Sequence, residues 1–220
     1  MNRERTSALT FTIHGLTLSI TLMLVLILAV AVVAQAPPAT QKPPQPGGPG
    51  GPGGQRRAPI AVMTLTSTGW PDGGQIPKKY TQAGEQVSPP FAWSNVPDDA
   101  QSFVLIVRDL DALANTGTEM LHWMLWNIPG ATRSLPEAMP QGAELPDGTR
   151  QISQSGPYYR GPGAPASGPP HHYVFELYAV DGPINVPAVG QSPAATRDAV
   201  LAAMAGRVRG KAVYVGLFKR

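Results

Sequence analysis

The run Phe103-Val104-Leu105-Ile106-Val107 constrains this chain more than any other feature, because every position is apolar and most are β-branched or aromatic. A continuous β-prone run of this kind is expected of a strand buried inside a sheet. It has companions. Val62 to Ser67 alternates roughly with period two, and Trp123 to Ile128, Tyr173 to Ala179 and Ala212 to Phe218 read as further strands. Pro89-Pro90, Pro129-Gly130, Pro146-Asp147-Gly148 and Gly182-Pro183 punctuate the intervals as turns. One helix is expected, from about Ala194 to Ala205, with Ser192 as cap, Pro193 in the first turn and Gly206 as the stop. The expected fold is therefore all-β: a β-sandwich of antiparallel or mixed sheets with one short C-terminal helix.

The first quarter of the chain follows other rules. Arg3 and Arg5 precede an apolar run from Leu16 to Val33, the pattern of an export signal or a membrane anchor. Residues 1–35 are assigned to that N-terminal hydrophobic helix. Small residues at Ala34 and Ala36 suit cleavage nearby, and retention would give membrane contact through this segment. Either way the rest of the protein is extracytoplasmic: periplasmic, secreted, or anchored and facing outward. Residues 36–57 are mostly Pro, Gly, Gln and Ala and read as a disordered linker, because they cannot bury enough apolar surface to offset their ordering entropy. As polyproline II at about 3.1 Å per residue, this spacer reaches roughly 65–70 Å. The remainder, residues 58–220, is assigned to one domain.

Composition removes several functions. There is no cysteine, so disulfides, thiolate catalysis and cysteine–zinc sites are excluded. Five of the 17 basic residues precede Ala58, which leaves the domain near neutrality and without a basic nucleic-acid surface. Arg207, Arg209 and Lys211 read as a solvated helix end. No Gly-x-Ser-x-Gly elbow and no His-Glu-x-x-His pattern occurs. Hydrolysis by Asp and His stays open as a minor expectation. Neither a cofactor nor a metal is expected, since nothing fixes a ligand geometry around the available carboxylates and imidazoles.

Two separated segments carry the remaining chemistry. Asp109 and Asp111 stand where a strand leaves the sheet, and in extended chain their spacing points both side chains to one side. His122 opens the next strand, where alternation puts it on the side of Met124 and Trp126, opposite Trp123. His171 opens another strand, with His172 on the opposite face and Tyr173 on the same face, its hydroxyl at a rim. The loop Gly161-Pro162-Gly163-Ala164-Pro165 lacks the lysine of a P-loop, but its glycine N–H groups could cradle an anion.

In sequence order, Asp72-Gly73-Gly74, Ser88-Pro89-Pro90, Phe91-Ala92-Trp93, Val96-Pro97, the Asp109-x-Asp111 segment, His122-Trp123, Asn127-Ile128-Pro129 and Leu145-Pro146-Asp147-Gly148 resemble the phosphatidylethanolamine-binding protein family. The block from Gly161 to Tyr173 and the terminal Val215-Gly216-Leu217-Phe218-Lys219-Arg220 complete the series. The similarity is to its bacterial, Raf-kinase-inhibitor-like branch and runs from about Thr64 to Arg220. The resemblance implies a β-sandwich with a shallow anion pocket for a phosphate-type small molecule or a phospholipid headgroup. Asp109, Asp111, His122, Gly161, Gly163, Pro165, His171 and Tyr173 would line or shape it, and a protonated His122 or His171, or a shared proton, would offset the carboxylates. The chain departs from the family pattern at Leu110 and Leu113, where prolines are usual, at Ala164, and at Met120-Leu121 before the pocket histidine. The expected function is that of a non-catalytic binding protein. The alternative is a kinase or protease inhibitor acting through its surface, with an unknown protein target.

Overall fold

The computed structural model describes residues 59–220. The expected N-terminal hydrophobic helix and the linker lie outside the described residues. Within them, strands dominate: β1 Ala61–Val62, β2 Thr64–Thr66, β3 Gly74–Gln75, β4 Phe91–Ser94, β5 Ser102–Asp109, β6 Met120–Pro129, β7 Ser134–Leu135, β8 Arg150–Ile152, β9 His171–Val180 and β10 Val208–Phe218. Two helices accompany them, α1 Ala112–Thr116 and α2 Pro193–Met204, with a 3-10 turn at Lys78–Tyr80.

The strands form two sheets. A 7-stranded mixed sheet runs β1-β10-β9-β5-β6-β8, with β3 also paired to β10, and a 3-stranded sheet runs β2-β4-β7. The segment read as one strand from Val62 to Ser67 is divided at Met63: β1 pairs with β10 in the large sheet, and β2 pairs with β4 in the small one. Leu65, Phe91, Trp93 and Leu135 of the small sheet pack against Leu105, Val107, Trp123, Leu125, Phe175 and Leu177 of the large one. The other face of the large sheet is apolar too. Val104, Ile106, Met124 and Trp126 are covered there by Val200 and Met204 of α2. Both faces of β5 and β6 are thus buried, which is why their sequences read as continuous apolar runs.

α2 is built as its sequence implies. The Ser192 side chain accepts the Ala195 N–H at 3.2 Å, Pro193 occupies the first turn, and Gly206 adopts φ 77° beyond the last turn. Replacing Ser192 with alanine should lower stability by about 1 kcal/mol in urea unfolding. A change within error would mean that α2 is held by packing alone. Arg207, Arg209 and Lys211 do not form a solvated helix end, because β10 starts at Val208. Arg207 pairs with Asp181 at 3.1 Å, and Arg209 pairs with both Asp99 and Asp181.

Strand β6 breaks its own alternation twice. Its ladder with β5 shifts between Val107 and Arg108, leaving His122 without a partner, and again between Phe103 and Leu105, beside Asn127. Asn127 has φ 58°, a left-handed conformation that asparagine tolerates better than most residues. Its amide holds both backbone groups of Ile184, donating to the carbonyl at 3.1 Å and accepting the N–H at 2.7 Å. The bulge at His122 turns its side chain toward Tyr173. This corrects the expectation that His122 shares a face with Met124 and Trp126.

Candidate functional site

At one end of the large sheet, β5 ends, β6 begins and β9 begins side by side. Asp109, Met120, His122, His171 and Tyr173 converge there with Ala112, Asn115 and Thr116 of α1. Gln82, Arg160, Gly163, Ala164 and Pro165 close the other side of a cleft of about 180 Å³. That is below the usual range for drug-sized ligands and suits a small headgroup or a single anion.

Asp109 organises the floor. It is buried, its carboxylate lies 2.9 and 3.1 Å from His171 Nδ1, and its Oδ1 also accepts the Ala112 N–H at 3.1 Å. One side chain therefore orients an imidazole and caps the short helix that walls the cleft. A carboxylate can only accept, so His171 Nδ1 carries the proton.

His122 is 1% exposed. Its Nδ1 lies 2.8 Å from the Arg160 carbonyl, which can only accept, so Nδ1 carries the proton here as well. Nε2, equally buried, has no partner. Burial depresses the His122 pKa, and the nearby Arg160 charge pushes the same way. The Arg160 carbonyl and Asp109 act in the opposite direction without overcoming burial. The ring is consequently neutral near pH 7 with a lone pair on Nε2.

Other site expectations change too. Asp109 and Asp111 do not face one way, because the chain leaves extended geometry after Asp109 and Asp111 sits at φ −75°, ψ −17° ahead of α1. Asp111 lies outside the cleft lining, accepts the His172 N–H at 2.6 Å and sits 2.9 Å from His172 Nδ1. Burial alone would raise the Asp111 carboxyl, but these His172 hydrogen bonds outweigh it and hold the group below the usual carboxylate range. The Tyr173 hydroxyl is not at a rim: the residue is fully buried, and its oxygen accepts the Gly163 and Ala164 N–H groups at 3.2 and 3.1 Å. Those two amides are thereby used to hold the loop against β9 rather than to cradle an anion. Burial, reinforced by Asp109, raises the Tyr173 pKa, so it stays a phenol. The His122 and Tyr173 rings meet edge to face, with centroids 5.0 Å apart.

Gly161 lies behind the cleft. A Cβ there would come 2.5 Å from the Tyr80 carbonyl oxygen, so only glycine lets the loop approach this closely. Gln82 fixes the same loop by donating its amide to the Gly161 carbonyl at 2.7 Å. Gln82, Asn115, Thr116 and Arg160 were missed by sequence reasoning. Only Arg160, next to the glycine loop, carried a usable signal there, as a cation beside a potential anion site.

The buried neutral His122 also sets an acid limit on stability. The unfolded chain binds a proton near the ordinary value of 6.5, whereas the folded chain does so only at lower pH. Stability from this group is complete above that value and is lost as pH falls through the window beneath it. Thermal melts at about pH 7.5 and about pH 5.5 should therefore differ more for the parent than for His122→Gln. Equal differences would contradict a depressed His122. The Asp111 contribution is lost only at lower pH, below its ordinary 3.8.

A sequence model described as phosphatidylethanolamine-binding protein matches residues 66–219. A UPF0098 protein of Methanothermobacter thermautotrophicus is 41% identical over 160 residues, covering 72% of this chain and 99% of the relative. A UPF0098 protein of Aquifex aeolicus is 36% identical over 161 residues, covering 73% and 90%. Among solved structures, the putative phosphatidylethanolamine-binding protein homolog CT736 of Chlamydia trachomatis aligns with a TM-score of 0.60 at 29% identity, over 72% of this chain and 98% of that one. E. coli YbcL, described as a member of the mammalian family, aligns with a TM-score of 0.59 at 26% identity, over 73% and 99%. With a match that spans most of the chain and relatives this similar, the protein belongs to the phosphatidylethanolamine-binding protein family.

Proposed function

We propose that this protein is an exported, non-catalytic binding protein whose cleft at the ends of β5, β6 and β9 takes an anionic, phosphate-type group, free or on a phospholipid headgroup. The observation that carries this reading is the buried, unpartnered Nε2 of His122 in a cleft that also contains Arg160 and the Asp109–His171 pair. A buried polar atom without a partner is unfavourable by about 1–3 kcal/mol, and a ligand that meets it recovers that energy. Export is supported by Arg3 and Arg5 followed by the apolar run from Leu16 to Val33.

The test is calorimetric titration of the 220-residue chain with inorganic phosphate and with phosphoethanolamine. His122→Ala and His171→Ala should each weaken binding by about tenfold or more. Unchanged affinity in both variants would defeat the reading. Since free His122 is neutral, a complex with a phosphate dianion takes up a proton. Affinity should therefore fall between about pH 5.5 and about pH 8.

A further inference from the structure

The charges around the cleft are unevenly satisfied. Asp109 is paired with His171, and the Gly163 and Ala164 amides are occupied by Tyr173. Arg160 differs from these groups. Its guanidinium touches the Ser155 hydroxyl, its Nε is buried without a partner, and among the described residues it pairs with no carboxylate. By contrast, Arg108, Arg150, Arg197, Arg207 and Arg209 each meet an acidic side chain. Arg160 and His122 line the same cleft, one with a guanidinium that lacks an anion and the other with an imidazole that lacks a donor, and together they define a two-point site. One point offers N–H groups to an oxyanion. The other accepts a proton from a hydroxyl.

We propose that Arg160 is the specificity-determining cation of this cleft and that, together with His122 Nε2 as acceptor, it selects a phosphate monoester over a phosphate diester. The inference rests on the anion-binding reading above. A monoester retains a P–OH that can donate to Nε2 while its other oxygens meet the guanidinium. A simple diester has no such hydrogen and leaves the buried Nε2 unpaired. The Arg160 backbone N–H and carbonyl, each bonded to His122, are untouched by changes to its side chain, so substitution there leaves the cleft's shape in place.

The experiment titrates the 220-residue chain near pH 6, about where a monoester's second proton titrates, with methyl phosphate, dimethyl phosphate, phosphoethanolamine and glycerophosphoethanolamine. The last two separate a free monoester from the diester of a lipid headgroup. In the parent chain each monoester should bind about tenfold or more tightly than its diester counterpart. Arg160→Gln should weaken methyl phosphate by about tenfold to a hundredfold without moving the melting temperature, and Arg160→Lys, which keeps charge but loses the fork, should fall between. Parent-like affinity in Arg160→Gln, or equal affinity for monoester and diester, overturns the inference while leaving the anion pocket standing. If Arg160→Gln does not fold, Arg160→Lys decides by the same comparison. If the parent binds none of the four, both readings fall together.

Discussion

Trp70→Ala should lower the unfolding free energy by about 3–5 kcal/mol, the range for truncating a large aromatic side chain in a core. Trp70 lies in the connection between β2 and β3, buried to 4% exposure. Its ring meets Phe91 of the small sheet at 6.1 Å, and Phe175 and Tyr214 of the large sheet at 5.5 and 5.8 Å. Its indole N–H donates to the Val215 carbonyl at 3.0 Å, and its own carbonyl accepts the Tyr214 hydroxyl. Truncation opens a cavity between the sheets that rigid aromatic neighbours cannot fill, and it removes a hydrogen bond to β10. Urea unfolding measures the loss. A value under about 1 kcal/mol would mean that the two sheets close over the gap and that Trp70 does not clamp them.

Asp109→Ala should affect both stability and binding. The change leaves the Ala112 N–H without its buried acceptor and frees His171 to rotate, at about 1–3 kcal/mol. Because α1 supplies the wall containing Asn115 and Thr116, losing its cap also loosens the cleft, and phosphate affinity should fall with stability. Since Asp109 and His171 act as a pair, the double variant Asp109→Ala/His171→Ala should be less destabilised than the sum of the singles. Four urea melts complete the cycle. Strict additivity would show that the Asp109–His171 contact contributes nothing of its own.

Much of the fold is legible because its signals are local. The apolar runs of β5, β9 and β10 and the Ser192-Pro193 start of α2 each encode their own element. The site is only partly legible, for three physical reasons. A β-bulge inverts alternation, so period two put His122 on the wrong face, and only its lack of a ladder partner corrects this. The i, i+2 rule holds while a strand continues, yet α1 begins immediately after Asp111 and sends that carboxylate to His172. The Gly163 amide looks free in sequence, and the acceptor that occupies it, Tyr173 Oη, is ten residues away along the chain. Gln82 and Trp70 act through contacts with distant segments, which no local pattern records.

His122 is neutral in the free protein, with Nε2 open to a ligand's proton. Nitrogen-15 NMR of the histidine rings, recorded near pH 7 with and without inorganic phosphate, tests it most directly. The expected free state has a protonated Nδ1 and a lone-pair Nε2 on His122. Phosphate should shift Nε2 toward the protonated range and leave the exposed His172 ring unchanged. A His122 ring already protonated at both nitrogens without phosphate, or an Nε2 signal indifferent to saturating phosphate, would contradict the account.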